Sequence, residues 1–147
     1  MFLCLKKDRR VNIEVVKNIV EGSMNLSTAL GMEFLSTPED DTCMARMQVD
    51  ERNRQPFGFL SGGASLALAE NVAGVGSSAL CPGCACVGIE VSGSHVKAVA
   101  EGDTVTAYAR LLHRGTTLHV WNVDIKDTTG DLISNVRVTN YIIKQKK

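Results

Sequence analysis

Neither sign of charge is in surplus in this chain: sixteen Lys and Arg balance sixteen Asp and Glu over 147 residues. That balance excludes the one-signed field by which proteins gather nucleic acid or an anionic membrane surface. An unbroken apolar run of bilayer length is also missing. Residues 59 to 81 come nearest, but Gly62, Gly63, Gly74, Gly76 and the Ser77-Ser78 pair interrupt them, and Glu70 stands mid-run. The opening, Met1 to Lys7, sets apolar residues ahead of the charges, the reverse of a secretory signal. There is no Gly-x-Ser-x-Gly elbow, no Gly-Lys-Ser/Thr after Gly58 to Gly63, and no His-x-x-x-His pair. No internal repeat or linker appears. The expectation is one cytoplasmic domain over 1–147, with an N-terminal helical segment over 1–30, no metal, no cofactor, and no nucleic-acid or membrane partner.

Five cysteines are present, and three of them cluster as Cys81-Pro-Gly-Cys84-Ala-Cys86. A zinc site would need a second ligand pair, which the sequence does not supply. A thioredoxin-like use would place the first cysteine at a helix start, whereas Cys81 follows a helix. The cluster therefore reads as a Pro-Gly turn with incidental thiols. Cys4 and Cys43 are isolated, and the odd count argues against a disulfide framework.

What is present divides the chain in two. Asn12 to Met24 carries Ile13, Val16, Ile19 and Val20 at helical spacing and ends at Gly22. A short turn over Ser27 to Leu30 stops at Gly31. Met32 to Thr37 and Asp41 to Val49 read as strands, the second with Cys43, Ala45, Met47 and Val49 alternating with polar or exposed positions. Glu51 to Phe59 reads as a loop, and Ser61 to about Leu80 as a long helix. Beyond the cysteines only strands are predicted: Val87 to Val91, His95 to Ala100, Thr104 to His113, Leu118 to Lys126 and Leu132 to Ile143. Asp127 to Asp131 reads as a hairpin turn. A helix so apolar must be buried on most of its circumference. A curved antiparallel sheet wrapped around it satisfies that need, an α+β arrangement. One sheet cannot cover every face, so a second copy is expected against the helix.

Between Arg54 and Glu90 the only charged side chain is Glu70. A carboxylate on such a helix is costly to desolvate unless it is paired or used. Ser61-Gly62-Gly63 opens the helix, where unpaired N–H groups and the positive dipole end favour a developing oxyanion. Gln55, in the loop ahead, adds an amide donor. A carboxylate with an oxyanion site suits hydrolysis of an activated acyl group. Gly62 and Glu70 lie roughly 12 Å apart along one helix, too far to serve one carbonyl. Antiparallel helices of two subunits would bring Glu70 of one beside Gly62 of the other.

The string Gln55-Pro-Phe-Gly-x-Leu-x-Gly-Gly-Ala-Ser-x-x-Leu-Ala-Glu70 resembles the signature of hotdog-fold acyl-CoA thioesterases. It is most similar to the PaaI-like branch that includes hydroxybenzoyl-CoA and dihydroxynaphthoyl-CoA thioesterases. The resemblance runs on through Val87-Gly-Ile-Glu90, His95-Val-Lys97, Leu112-His-Arg-Gly115 and His119-Val-Trp121, so it covers the chain from about residue 50 to its end. It implies a hotdog fold, an acyl-CoA substrate, and a homodimer at minimum, with a homotetramer as the expected assembly. By the same resemblance Glu70 is nucleophile or general base, the Gly62 N–H polarises the carbonyl, and the Gln55 amide aligns it. Ser61, Gly74, Gly88, His95, Val96, Lys97, Ala98, His113, Arg114, Gly115, Thr116, Thr117 and Leu118 fall where relatives hold substrate and CoA. Lys97 and Arg114 would supply charge for the phosphates.

Two positions depart from the pattern. Relatives commonly carry His where this chain has Ser61, and Ser or Thr where it has Gly74. Ser61 is expected to cap the helix with its hydroxyl, while Gly74 implies a larger pocket or slower turnover. These departures keep open a non-catalytic hotdog protein that binds acyl-CoA or an acyl carrier. A hotdog dehydratase is less well supported, because no histidine falls in the helix or its leading loop.

Overall fold

A computed structural model describes residues 8–145; Cys4 and the opening segment read against a secretory signal lie outside them. Helix α1 (Ile13–Glu21) starts where the Asn12 side chain accepts the Glu14 N–H at 2.9 Å, and it buries Val16 and Val20. Helix α2 (Leu26–Ala29) opens on a reciprocal cap. Asn25 accepts from the Thr28 N–H, and the Thr28 hydroxyl accepts from the Asn25 N–H. Strands β1 (Met32–Leu35) and β2 (Thr42–Gln48) follow, then the long helix α3 (Gly62–Leu80). Strands β3 (Cys84–His95), β4 (Thr104–Arg114), β5 (Leu118–Lys126) and β6 (Leu132–Lys144) complete the chain.

All six strands form one antiparallel sheet in the order β1-β2-β4-β5-β6-β3, curved around α3. The α+β expectation of a sheet wrapped on one long helix holds. Period-two burial sets the packing: on β2, Cys43, Ala45 and Met47 point inward, and on β5 His119, Trp121, Val123 and Ile125 do the same. From the helix, Leu68, Val72 and Ala73 meet them. Gly76 lets the two layers approach, because a Cβ there would lie 2.9 Å from the Trp121 ring and 3.1 Å from Cys43 Cβ. The β5–β6 hairpin closes at Asp127 to Asp131 as expected, with Gly130 at φ 87°.

Two local expectations are corrected. His95 to Ala100 is not a strand. Instead β3 runs unbroken to His95, with a bulge between Gly88 and Glu90. Gly93, beyond the expected end of this strand at Val91, marks a close approach rather than a break. A Cβ on Gly93 would sit 2.7 Å from the Asn135 carbonyl oxygen. The chain then leaves the sheet as the Val96 and Lys97 N–H groups both turn to the Ile133 carbonyl at 2.8 and 3.3 Å. The second correction is at Ser61. It holds the extended cap position, but its side chain makes no capping hydrogen bond, so the first turn of α3 keeps its N–H groups open. No helix among the described residues is long and apolar enough to cross a membrane.

Candidate active site

The loop before α3 is built to present an amide. The Gln55 N–H donates to the Phe59 carbonyl at 2.7 Å and the Gly58 N–H returns to the Gln55 carbonyl at 3.0 Å. The Gln55 side-chain oxygen is taken up by the Phe57 N–H and, at 3.5 Å, by the Phe59 N–H. With its acceptor end occupied, the carboxamide has only donors left for a ligand. No bond among the described residues uses that NH₂ group.

Beside it, the α3 N-terminus opens into a depression of about 390 Å³ lined by Gln55, Gly62, Ser65, His95 and Val96 to Val99. The imidazole of His95 lies directly over Gly62: a Cβ on that glycine would be 2.8 Å from Nε2. The ring is held from behind by the buried Ser134 hydroxyl, 2.8 Å from Nδ1. Sequence reasoning named His95 only as a position where relatives hold substrate, and found no histidine in the helix or its leading loop. The structure brings one from the last residue of β3, a contact between positions far apart in the chain that no local pattern announces.

Glu70 lies on the same helix but in a separate hollow of about 370 Å³, with Asn71, Gly74, Ser78, Cys86 and Gly88. Its carboxylate rests against Gly88, where there is no room for a Cβ. At Gly74 the opposite holds, since a Cβ would touch nothing within 4 Å, so the hydroxyl missing from this position leaves open space. Asn71 is already committed: it accepts from Ser27 Oγ at 2.8 Å and donates to the Ala67 carbonyl at 2.7 Å. The expected desolvation of Glu70 is corrected here. Glu70 is exposed in the single chain, because the helix face carrying Gly63, Glu70 and Gly74 turns away from the sheet that buries Leu68 and Val72.

The positions expected to hold CoA do not all converge. His95, Val96, Lys97 and Ala98 gather with Gln55 and Gly62, whereas Gly74 and Gly88 gather with Glu70. His113, Arg114, Gly115, Thr116, Thr117 and Leu118 form the β4–β5 turn at the opposite end of α3, closed by the Gly115 N–H on the Leu118 carbonyl at 2.8 Å. That end is roughly 27 Å from Gly62 at 1.5 Å per residue. Neither cation expected to meet phosphate is idle. Lys97 Nζ bonds Asp127 and Asp131 at 2.7 Å each, which raises the Lys97 ammonium above its ordinary value and holds the Asp127 carboxyl well below the usual range. Arg114 donates to the Leu80 carbonyl at 2.9 Å and to the Asp8 carbonyl at 3.2 Å, capping the C-terminus of α3. No cluster of three metal-ligating side chains occurs among the described residues.

A profile described as "Thioesterase superfamily" matches residues 57–134. The 1,4-dihydroxy-2-naphthoyl-CoA hydrolase of Escherichia coli (strain K12) is 35% identical over 136 residues, covering 92% of this chain and 97% of that protein. A crystal structure of a mutant thioesterase PA1618 from Pseudomonas aeruginosa superposes with a TM-score of 0.84 at 31% identity, covering 95% of this chain and 99% of the other. The E. coli PaaI protein shares the fold, with a TM-score of 0.81 at 19% identity and coverage of 91% and 94%.

Proposed function

Because this chain belongs to the thioesterase superfamily and is a hotdog-fold thioester hydrolase, we propose that it cleaves an acyl-CoA into free acid and CoA in a site shared between two subunits. The observation that carries this reading is the Gln55 carboxamide, its oxygen tied to two loop amides and its NH₂ left to donate in the depression that the open Gly62 N–H end of α3 also lines. Those donors would meet the thioester carbonyl oxygen and strengthen their hold as it becomes an oxyanion. Nε2 of His95 is close enough to Gly62 to join them, and so offers an imidazole where Ser61 does not.

Glu70 of the partner subunit acts on the carbonyl carbon, as nucleophile or by taking a proton from water. The C–S bond breaks, CoA leaves as thiolate and is protonated, and water supplies the oxygen of the acid. A single turnover in heavy-oxygen water reads the route: label in the Glu70 carboxylate with unlabelled acid marks an anhydride opened at the Glu70 carbonyl, whereas label in the acid alone marks attack of water on the acyl carbon.

Burial of Glu70 in this reading comes from the second copy, which would cover the face of α3 that the sheet leaves open. Strand β3 lies at a sheet edge with Val87 and Ile89 exposed, which suits edge pairing in a dimer, and a dimer of dimers would complete the homotetramer. The acyl group would lie in the hollow beside Glu70, where the space left by Gly74 favours a broad, aromatic acyl chain. The odd cysteine count, which argues against a disulfide framework, fits a cytoplasmic location. A panel of aryl-, short- and long-chain acyl-CoAs, followed by thiol release, tests the assignment. Turnover should be fastest with an aryl-CoA. Binding of every member with release of none would make the protein an acyl-CoA carrier instead.

A further inference from the structure

The last turn of α3 holds chemistry that thioester hydrolysis does not use. Ser77 is buried, and its hydroxyl oxygen receives Trp121 Nε1–H at 2.8 Å and Asn140 Nδ2–H at 3.0 Å. Two donors fill both lone pairs of a hydroxyl. Its own proton is therefore directed to His119 Nδ1, 3.0 Å away. With Asn140 donating to Ser77, this arrangement favours the Nε2–H tautomer of the buried imidazole. Nε2 lies 3.8 Å from Sγ of Cys81, the residue that ends α3. An N–H aimed at a sulfur stabilises its thiolate without charging the buried ring.

The carbonyl end of a helix works against an anion. Here Arg114 offsets it by placing its guanidinium on the Leu80 carbonyl, one residue before Cys81, with Asp41 3.9 Å from its other nitrogen.

A second thiol stands across a tight turn. Cys81 is followed by Pro82 and by Gly83 at φ 78°, and the Cys84 N–H returns to the Cys81 carbonyl at 3.1 Å. Such a turn holds its end Cα atoms within about 7 Å, and a disulfide spans about 4.4–6.8 Å. Register places Cys84 and Cys86 opposite Lys144 and Ile142, on the sheet face that turns Ile142 and Asn140 toward α3. Cys81, Cys84 and Cys86 are all partly exposed and none is in a disulfide. Burial pushes the Cys86 thiol up. In Cys43 burial raises the thiol to about 12.

We propose that Cys81 and Cys84 form a reversible dithiol–disulfide site whose co-reactant is a low-molecular-weight disulfide, with Cys81 attacking, Cys84 resolving and His119 as the positioning residue for Cys81. The Cys81 thiolate attacks one sulfur of the small disulfide, whose S–S bond breaks. One small thiolate leaves with the electron pair, and Cys81 is left as a mixed disulfide. Cys84 gives its proton to solvent and attacks Cys81 Sγ, expelling the second small thiolate. Two protein thiols are oxidised and one disulfide is reduced to two thiols, which take up the two protons released.

Oxidised glutathione is the probe, added to the full-length protein, followed by acid quench, alkylation and peptide mapping by mass spectrometry. The parent should yield a Cys81–Cys84 disulfide. Cys84→Ser should stop at a glutathione adduct on Cys81, Cys81→Ser should leave Cys84 reduced over the same interval, and Cys86→Ser should behave as the parent. In the Cys84→Ser background, His119→Gln should slow adduct formation by about tenfold or more and move its pH profile upward. The Cys84→Ser trap stands whether or not the His119 variant folds, and no readout depends on thioester hydrolysis. A disulfide between Cys84 and Cys86, equal adduct formation at Cys81 and Cys86, or no disulfide at all would overturn the proposal.

Discussion

Glu70 and Gln55 sit on one short stretch of chain but play unlike parts, and each gives a separate test. In the shared-site reading the second copy covers the Glu70 carboxylate, so Glu70→Ala should leave the fold intact and hold or raise stability in urea unfolding. Thiol release should nevertheless fall at least ~10²-fold; a variant within a few-fold of the parent would remove Glu70 from the mechanism. Gln55→Glu is a sharper probe than Gln55→Ala. It keeps the acceptor oxygen that anchors the Phe57 and Phe59 N–H groups, but replaces the donor with a charged oxygen that opposes the oxyanion. The expected loss is on the order of 10²-fold in kcat, whereas an unchanged kcat with raised KM would make Gln55 a binding residue. At this scale the sequence is informative where a residue breaks its local pattern, as a lone carboxylate or a Gly-Gly helix start does. It is silent on His95 over Gly62 and on His119 against Cys81. Both contacts join residues more than thirty positions apart, and the packing of α3 against the sheet creates them.

Helix α3 and its sheet were legible as elements because periodicity and burial agree along them. The β2 alternation, the β5 bounds and the Asp127 to Asp131 hairpin all follow from side chains that must face one way. Glycine misleads at the end of β3, where Gly93 accommodates its neighbours rather than ending the strand. The fit of α3 against the sheet depends on Gly76 in the same sense. Gly76→Val should press a branched side chain onto the Trp121 ring and Cys43, costing about 1–3 kcal/mol by overpacking. Chemical denaturation with Trp121 fluorescence measures this directly, since Trp121 is the sole tryptophan. An unchanged midpoint would mean that the helix shifts along the sheet without penalty. In that case the spacing of Gly62 and Glu70 against the sheet would not be fixed by packing.

At the scale of the molecule, Gly62 and Glu70 face separate hollows on the same helix, so the proposed site needs one from each of two chains. Complementation between two inactive chains tests whether a second subunit closes that gap. Gly62→Pro is unsuitable as one partner, since any Cβ at Gly62 meets the His95 ring and would disturb more than the N–H. Gln55→Glu and Glu70→Ala are cleaner. A heterodimer of the two contains one site with Gln55 and Glu70 both intact, and one site with both lost. If subunits exchange at random after denaturation and refolding as an equimolar mixture, half of the dimers are mixed and each has one working site of two. The mixture should therefore recover about a quarter of parental activity per site, while either variant alone stays near zero. Sedimentation of the mixture should show a dimer or larger species at assay concentration. A fully active monomer, or verified heterodimers that release no thiol, would place Glu70 and Gln55 in different functions rather than in one shared site.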